Sequence, residues 1–410
     1  MPADDKIAVL VEGRELTLTN LTKVLYPEDG FTKAEVLDYY QRISPVLLPH
    51  IANRPMTLRR YPHGVADLSF FAKHAPAHRP DWLSTREVLS HSSRARSPDA
   101  PVRYLVIDGL PALIWAVNLA AIELHVPMWH FAAPGVPGAP SVPAVSVADL
   151  SNAPSTPVEP VDGASDPAGS PAASPHSDPD LLVFDLDPGA PATIVECCRV
   201  AEALRPVLEA EGLRPLPKTS GGKGLQLYAA VSGLTAEQAS DLALSFAQRL
   251  ERELPRLVVS RMTKSARPGK VLIDWSQNNG SKTTVAPYSL RARDHPTVST
   301  PVTWDEVAAC HQVEDLVFTA PDVLARVEAH GDLFAPLASR VRLPGRPPRQ
   351  SAYPDANGED RTEPASADAV LVRSAPRRSN TTVQLCSNCL ILLVIVQSFR
   401  PSLPSALLSR

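Results

Sequence analysis

Two aspartates at the end of an apolar segment carry the clearest chemical signal in the sequence. The segment LLVFDLDPG, residues 181–189, places Asp185 and Asp187 two positions apart. Because successive side chains of a strand point to opposite faces, this spacing projects both carboxylates from one face. Solvated acids at a strand end are the alternative, but a third aspartate, Asp274, again follows an apolar strand in VLID. Since hard oxygen ligands suit Mg²⁺ or Mn²⁺, the three acids predict a metal site.

A glycine-rich segment follows the first two aspartates. The segment KTSGGKGLQ, residues 218–226, offers the Ser220 hydroxyl, the Lys223 ammonium and backbone N–H groups freed by glycine. Such groups hold phosphate oxygens, although an ordinary glycine-rich turn would have the same composition. A metal site beside a phosphate site predicts nucleotidyl transfer.

Composition and charge restrict the class of protein. The chain has 410 residues and a formal net charge of -4, so a nucleic-acid site would have to be a local basic patch. Its five cysteines form no secretory framework and the N-terminus has no apolar signal region, which predicts a cytoplasmic protein. The apolar run at 389–396 is far shorter than the roughly 20 residues of a membrane span, so we expect no membrane association.

The composition divides the chain into four parts. Residues 1–132 are expected to form a folded module, and residues 133–180 a disordered insert rich in Pro, Ala and Ser. Residues 181–330 alternate strands and helices in an α+β pattern, and residues 331–410 are expected to form an irregular, disordered tail.

Two helices are predicted within the first module. Thr32 to Val46 has Thr32 as N-cap and Glu35 at the capping-box position. Ala112 to His125 is more apolar and is also predicted to be helical, after a short strand.

The motifs and their order resemble one family. They are LTKVLYP, FTKAEVLDYY, RPMTLRRYP, FFAKHAP, AAIELHVPMWH, LLVFDLDPG, KTSGGKGLQ and IDWSQNNGSKTTVAPYSLRAR. This set resembles the polymerase domain of bacterial ligase D, a member of the archaeo-eukaryotic primase superfamily that acts in non-homologous end joining. The resemblance covers about Leu16 to Glu328, apart from the insert. It implies an α+β, primase-type catalytic core with mixed sheets around a cleft and, since no ligase or nuclease motif is visible, the stand-alone form.

The resemblance implies roles for the residues of the catalytic half. Asp185, Asp187 and Asp274 correspond to a catalytic triad that holds two Mn²⁺ or Mg²⁺ ions. The expected nucleotide contacts are His125, Ser220, Lys223, Gln277, Arg291 and Arg293. The two arginines are expected on one face of a strand; exposed surface arginines and a histidine satisfied within the fold are the alternatives. The chain departs from the family at Gln226, where the family has a histidine, and an amide cannot carry positive charge.

Other matched residues are expected to contact DNA. Asn20, Lys23 and Lys33 correspond to a pocket for the 5′-phosphate at a break. Phe70 and Phe71 correspond to a stacking platform for the template, although two adjacent phenylalanines are more often core. Arg59 and Arg60 would neutralise the DNA backbone, and Arg267 would lie in a mobile loop that arranges the incoming strand or nucleotide.

The sequence therefore predicts a template-directed nucleotidyltransferase that binds 5′-phosphorylated DNA ends and extends or fills 3′ ends in double-strand break repair. The resemblance implies a preference for ribonucleotides over deoxyribonucleotides, Mn²⁺ as favoured metal, and cooperation with Ku and a separate ATP-dependent DNA ligase, in the cytoplasm at the nucleoid. Two alternatives stay open. One is a primase, and the other is an end-bridging protein whose catalysis is weakened by Gln226 and the insert.

Overall fold

Helices and strands are mixed throughout residues 6–89, 101–131 and 177–338, the ranges that the computed structural model describes. The strands are β1 (Lys6–Val11), β2 (Arg14–Thr19), β3 (Val24–Tyr26), β4 (Phe31–Thr32), β5 (Thr57–Arg60), β6 (Phe70–Ala72), β7 (Thr85–Leu89), β8 (Pro101–Leu105), β9 (Ala121–Val126), β10 (Leu181–Pro188), β11 (Leu216–Thr219), β12 (Leu225–Ala230), β13 (Val258–Val259), β14 (Val271–Asp274) and β15 (Thr284–Val285). The helices are α1 (Lys33–Ile51), α2 (Leu110–Asn118), α3 (Ile194–Ala210), α4 (Ala236–Glu253), α5 (Trp304–Ala308), α6 (Ala320–His330) and α7 (Ala335–Ala338).

A five-stranded sheet carries the aspartates. Its order is β11-β12-β10-β14-β13, and the central strand β10 is antiparallel to both neighbours. Leu182, Phe184 and Leu186 of β10 are buried in one core cluster with apolar residues of α3 and α4. Because these residues alternate with Asp185 and Asp187, the carboxylates emerge on the face that the two helices leave open.

A second, four-stranded antiparallel sheet has the order β15-β9-β5-β6 and lies on the side of the five-stranded sheet that α3 and α4 leave open. The hydroxyls of Tyr228 in β12 and Thr284 in β15 are 2.8 Å apart and join the two sheets. Helix α1 packs on the smaller sheet, where the Tyr40 hydroxyl donates to the carbonyl of Ile122 at 2.6 Å. The α+β class with sheets around a cleft is confirmed.

Helix α1 begins where the sequence predicts. The Thr32 hydroxyl accepts from the backbone N–H of Glu35 at 3.3 Å, and the Glu35 carboxylate accepts from the backbone N–H of Thr32 at 2.7 Å. The helix continues beyond the predicted end at Val46 to Ile51, because Leu47 and Ile51 extend its buried face.

The predicted helix from Ala112 to His125 is wrong in its second half. Helix α2 ends at Asn118, and Ala120 takes a left-handed conformation with φ 59°. The chain then continues as β9, which pairs with β5. A short apolar run does not by itself distinguish a buried strand from a helix, and here the partner strand decides.

Two predicted boundaries fall differently in the structure. Residues 177–180 of the expected insert are described, and Asp180 forms an ion pair with buried Arg54 at 2.6 Å. Residues 331–338 of the expected tail are also described, and Phe334 is buried beside Tyr228. The rest of the insert and of the tail, with the apolar run 389–396, lies outside the described residues. Within the ranges that the structure covers, no helix is long and apolar enough to cross a bilayer.

Candidate active site

Three carboxylates meet at the open face of the larger sheet. Asp185 in β10 lies opposite Asp274 in β14, and Asp187 follows two positions later on the same face. One carboxylate oxygen from each of the three lies within 4.8 Å of the others. We call Asp185, Asp187 and Asp274 the acidic triad. The structure thus brings together all three acids that the sequence singled out.

The environment of the acidic triad favours a bound cation. Burial, and then the charge of Asp187, raises the pKa of Asp185 to about 7. Partial desolvation and the charge of Asp274 also raise the pKa of Asp187. Close like charges disfavour ionisation unless a cation compensates them. Carboxylate oxygens are the donors that Mg²⁺ and Mn²⁺ prefer, so the residues present fit a divalent metal.

Neutral hydrogen-bond donors hold the Asp274 carboxylate in place. The Asp274 carboxylate accepts from the Ser276 hydroxyl at 2.6 Å and from the Gln277 amide at 3.0 Å. Gln277 lies in a short 3₁₀ helix that directly follows β14. The structure thus places Gln277 on a carboxylate of the acidic triad, and its expected contact with a nucleotide stays a prediction.

Gln226 holds Asp185 through a buried chain of polar groups. Its amide N–H donates to Asp185 at 2.9 Å, and its carbonyl oxygen accepts from Lys218 at 2.5 Å. Lys218 is fully buried and also donates to Ser299 at 2.5 Å. The amide oxygen faces Lys218 and the amide N–H faces Asp185, and burial lowers the pKa of Lys218 well below its ordinary value. Gln226 therefore orients a carboxylate of the triad, a role that its sequence position alone did not reveal.

The glycine-rich turn between β11 and β12 lies beside the triad. The Ser220 hydroxyl accepts from the backbone N–H groups of Gly222 at 3.2 Å and Gly224 at 3.1 Å. Gly221 has φ 65°, and a Cβ there would lie 2.7 Å from the backbone carbonyl of Val298, so a larger residue would collide with the main chain of the loop that carries Arg291 and Arg293. The turn thus depends on glycine for close contact with a basic loop.

The structure corrects the expectation that Arg291 and Arg293 lie on a strand; we call the segment that carries them the basic loop. Arg291 and Arg293 lie in an irregular loop after β15 rather than on a strand. The loop folds back on itself, since the backbone N–H of Arg291 donates to Thr297 at 2.8 Å. The Arg291 guanidinium donates to the carbonyl of Ser220 at 2.7 Å, which fixes the loop to the glycine-rich turn.

These elements enclose a cavity with an acidic and a basic side. Its volume is about 330 Å³. It is lined by Asp185, Asp187, Pro188, Gly189, Ser220, Lys223, Gly224, Gln226, Arg267, Arg291 and Arg293. Arg267 follows a 3₁₀ helix and donates to the carbonyl of Met262 at 2.8 Å. Carboxylates that hold a metal and cations that hold phosphate are the two requirements of a metal–triphosphate site.

His125 lies in β9 and not at a helix end. Its Nε2 is 2.9 Å from the Glu123 carboxylate, and its ring meets the Phe71 ring edge-on with 5.5 Å between centroids. Burial lowers the pKa of His125. Glu123 was missed by the sequence analysis, although a carboxylate in the apolar segment AIELHV was a signal for it.

Phe70 and Phe71 form an exposed aromatic surface. Their residues are 47% and 57% exposed, which contradicts the alternative that they are core. The Arg60 guanidinium carbon lies 5.2 Å from the Phe70 ring centroid, and that of Arg59 lies 5.3 Å from the Phe71 ring centroid. Exposed aromatic rings with adjacent arginines suit stacked bases and a phosphate backbone.

Asn20, Lys23 and Lys33 lie together where the turn after β2 meets the start of α1. The backbone N–H of Lys23 donates to Asn20 at 3.1 Å, and that of Lys33 donates to Lys23 at 2.8 Å. Lys33 is buried and its ammonium donates to the carbonyl of Thr19 at 2.6 Å. Burial, with the charges of Lys23 and Arg60, lowers the pKa of Lys33 to about 8. Neighbouring cations beside a helix N-terminus suit an anion.

Comparison with known proteins identifies relatives for most of the chain. Residues 32–334 match the family model for the primase-polymerase domain of LigD. The multifunctional non-homologous end joining protein LigD of Mycolicibacterium smegmatis is 41% identical over 321 residues, which cover 78% of this chain and 36% of that protein. The multifunctional non-homologous end joining DNA repair protein LigD of Mycobacterium tuberculosis is 41% identical over 338 residues, 80% of this chain and 38% of that protein. The chain thus spans little more than a third of the length of these relatives.

A solved structure is similar over the same region. The polymerase domain of Mycobacterium tuberculosis ligase D in complex with DNA matches with a TM-score of 0.66 and 39% identity. The match covers 80% of this chain and 99% of that domain.

The substitution Gln226→Met tests the buried polar chain. It removes both amide hydrogen bonds at similar volume and leaves Lys218 and Asp185 each without one partner. We expect the free energy of unfolding to fall by about 1–3 kcal/mol, measured by urea denaturation in EDTA. Gln248→Met, at an exposed position of α4, is the control and should change stability by less than about 0.5 kcal/mol. Equal denaturation midpoints for the two variants would contradict the chain of contacts.

Proposed function

The chain belongs to the LigD primase-polymerase family, and on that premise we propose that it is a template-directed nucleotidyltransferase. It binds 5′-phosphorylated DNA ends and extends or fills 3′ ends in non-homologous end joining. The observation that carries the proposal is the cavity lined by Asp185 and Asp187 of the acidic triad on one side and by the cations Lys223, Arg291 and Arg293 on the other. This pairing of charges fits nucleotidyl transfer better than it fits DNA bridging alone.

The acidic triad would hold the divalent metal, with Mn²⁺ favoured over Mg²⁺. A divalent metal held there would supply activation of the attacking 3′-hydroxyl and compensation of the charge on the leaving pyrophosphate. The protein supplies the orientation of the carboxylates: Gln226 holds Asp185, and Ser276 and Gln277 hold Asp274. Fixed ligands reduce the reorganisation needed during reaction.

The basic side of the cavity binds the triphosphate. Lys223, Arg291 and Arg293 compensate the phosphate charge, and Arg267 closes the cavity beside Gly189. The backbone N–H groups of Gly222 and Gly224 donate to the Ser220 hydroxyl, and these two bonds fix the shape of the glycine-rich turn. His125, in the smaller sheet, makes a further contact with the nucleotide. Following the family resemblance, we propose that ribonucleotides are preferred over deoxyribonucleotides.

The remaining sites bind DNA. Lys23, Lys33 and Asn20 receive the 5′-phosphate, and a template base stacks on Phe70 or Phe71. Arg59 and Arg60, each over one of these rings, neutralise the adjoining backbone. The partners that we propose are Ku and a separate ATP-dependent DNA ligase, acting at the nucleoid in the cytoplasm. The end-joining role in the names of the relatives supports this part of the proposal.

The substitution Asp187→Ala tests the chemistry. It removes one triad carboxylate, and the residues that we propose to contact DNA lie on other elements. Primer extension on a gapped, 5′-phosphorylated duplex should fall at least about 100-fold, while DNA affinity measured by fluorescence anisotropy should stay within about twofold. Asp241→Ala, on the exposed face of α4, serves as control. Extension at the wild-type rate by Asp187→Ala would refute the assignment of the triad.

The substitution Lys23→Ala tests recognition of the DNA end. Lys23 is chosen because Lys33 also holds the carbonyl of Thr19 and its loss would disturb the turn. The preference for a 5′-phosphorylated over a 5′-hydroxyl gap should fall about tenfold or more in competition binding, because a charge-assisted contact is lost. Lys282→Ala, an exposed lysine before β15, should keep the preference. An unchanged preference in Lys23→Ala would place the phosphate elsewhere.

A further inference from the structure

Glu123 is a buried carboxylate that the proposed chemistry leaves without a role. It lies in β9 and is 1% exposed. One oxygen accepts from the backbone N–H of Ala292 at 3.1 Å and lies 3.4 Å from Nε of Arg291. The other lies 2.9 Å from Nε2 of His125 and 3.5 Å from Nη1 of Arg59. A single carboxylate therefore serves three cationic or potentially cationic side chains.

The carboxylate is ionised despite its burial. Burial acts to raise the pKa of Glu123, but the hydrogen bond from His125 and the charge of Arg291 outweigh it and hold the pKa well below its usual range. A buried charge of this kind is stable only while it is paired. Glu123 is thus the shared counter-ion of Arg59 and Arg291.

These two arginines belong to different sites. Arg291 lines the cavity beside the acidic triad and is fixed to Ser220. Arg59 lies over the Phe71 ring on one side and over the Tyr61 ring on the other, at 5.3 Å from each centroid. His125 joins the two sites, since it contacts both Glu123 and the edge of Phe71. The exposed aromatic surface and the cavity therefore meet at one carboxylate.

The arginine contacts with Glu123 are not saturated. Among the described residues, Nε of Arg59 and Nε of Arg291 are buried atoms without a hydrogen-bond partner. Nη1 of Arg59 lies 3.5 Å from the Glu123 carboxylate and Nε of Arg291 lies 3.4 Å from it, and both distances are long for charge-assisted hydrogen bonds. A change in the position of Arg59 therefore alters how much of the carboxylate charge is left to hold Arg291.

We propose that Glu123 is a positioning residue that couples template occupancy to nucleotide binding. A base stacked on Phe71 and a neighbouring phosphate draw Arg59 towards the DNA, and Glu123 then holds Arg291 and His125 more firmly in the orientation that receives the nucleotide. The nucleotide binds more tightly when the template is in place, and by linkage the template binds more tightly when the nucleotide is in place. This inference rests on the proposed function.

The coupling is measured as a ratio of nucleotide affinities. A fluorescent, non-hydrolysable ribonucleoside triphosphate is titrated with Mn²⁺ into the full chain, alone and with a saturating gapped duplex of complementary template base. The coupling ratio is the dissociation constant of the nucleotide without DNA divided by its dissociation constant with DNA. This ratio is compared between wild type and Glu123→Gln. Base pairing with the template contributes equally to both proteins, so a difference between their ratios reports the network.

We expect Glu123→Gln to lower the ratio about fivefold or more. Glu306→Gln is the matched control, because Glu306 is a carboxylate paired with Arg326 outside this network, and it should keep the wild-type ratio. Tyr61→Phe removes only a hydroxyl that donates to Glu123 at 3.3 Å, and it should lower the ratio to a smaller extent. It provides the test if Glu123→Gln does not fold.

The outcomes separate this inference from the proposed function. A wild-type ratio in Glu123→Gln, or in Tyr61→Phe if only that variant folds, overturns the coupling. A loss of stability with an unchanged ratio would mean that Glu123 is structural only. If the wild-type protein binds no nucleotide with or without DNA, the proposed function itself fails.

Discussion

Mutual repulsion among three carboxylates is the constraint on which the rest of the site depends. The acidic triad brings three oxygens within 4.8 Å, at the open face of a sheet whose other face is buried. Burial and the neighbouring negative charges raise the pKa of Asp185, which means that the protein alone does not fully compensate the negative charge of the three carboxylates. Its immediate partners are the neutral donors Gln226, Ser276 and Gln277, which orient the carboxylates without supplying a compensating charge. The arrangement is thus prepared for a divalent cation.

The surrounding elements follow from that requirement. The strand alternation of β10 sends the apolar residues to α3 and α4 and the acids to the cavity. The glycine-rich turn and the basic loop close the cavity from the opposite side, where cations can meet phosphate rather than the triad. The smaller sheet carries the exposed phenylalanines and, through Glu123, reaches the same basic loop. Acid, base and aromatic surfaces therefore occupy separate elements around one cavity.

The sequence predicted the parts of this architecture that have a local signature. The capping box at Thr32 and the alternation around Asp185 are short-range patterns, and the structure confirms both. The change from α2 to β9 was not predictable in this way, because pairing with β5 decides it. Lys218 and Glu123 were missed for a related reason. Each is a charged residue whose burial depends on partners far away in sequence, such as Ser299 and Arg291.

The central claim is that the acidic triad binds divalent metal for nucleotidyl transfer, and direct titration with Mn²⁺ tests it most directly. Free Mn²⁺ is followed by electron paramagnetic resonance in the presence of a non-hydrolysable ribonucleoside triphosphate. The account predicts Mn²⁺ bound to the wild-type protein, an affinity at least about tenfold weaker for Asp274→Asn, and no change for Asp241→Asn on the exposed face of α4. Equal Mn²⁺ affinity for wild type and Asp274→Asn, or no Mn²⁺ binding by the wild type, would contradict it.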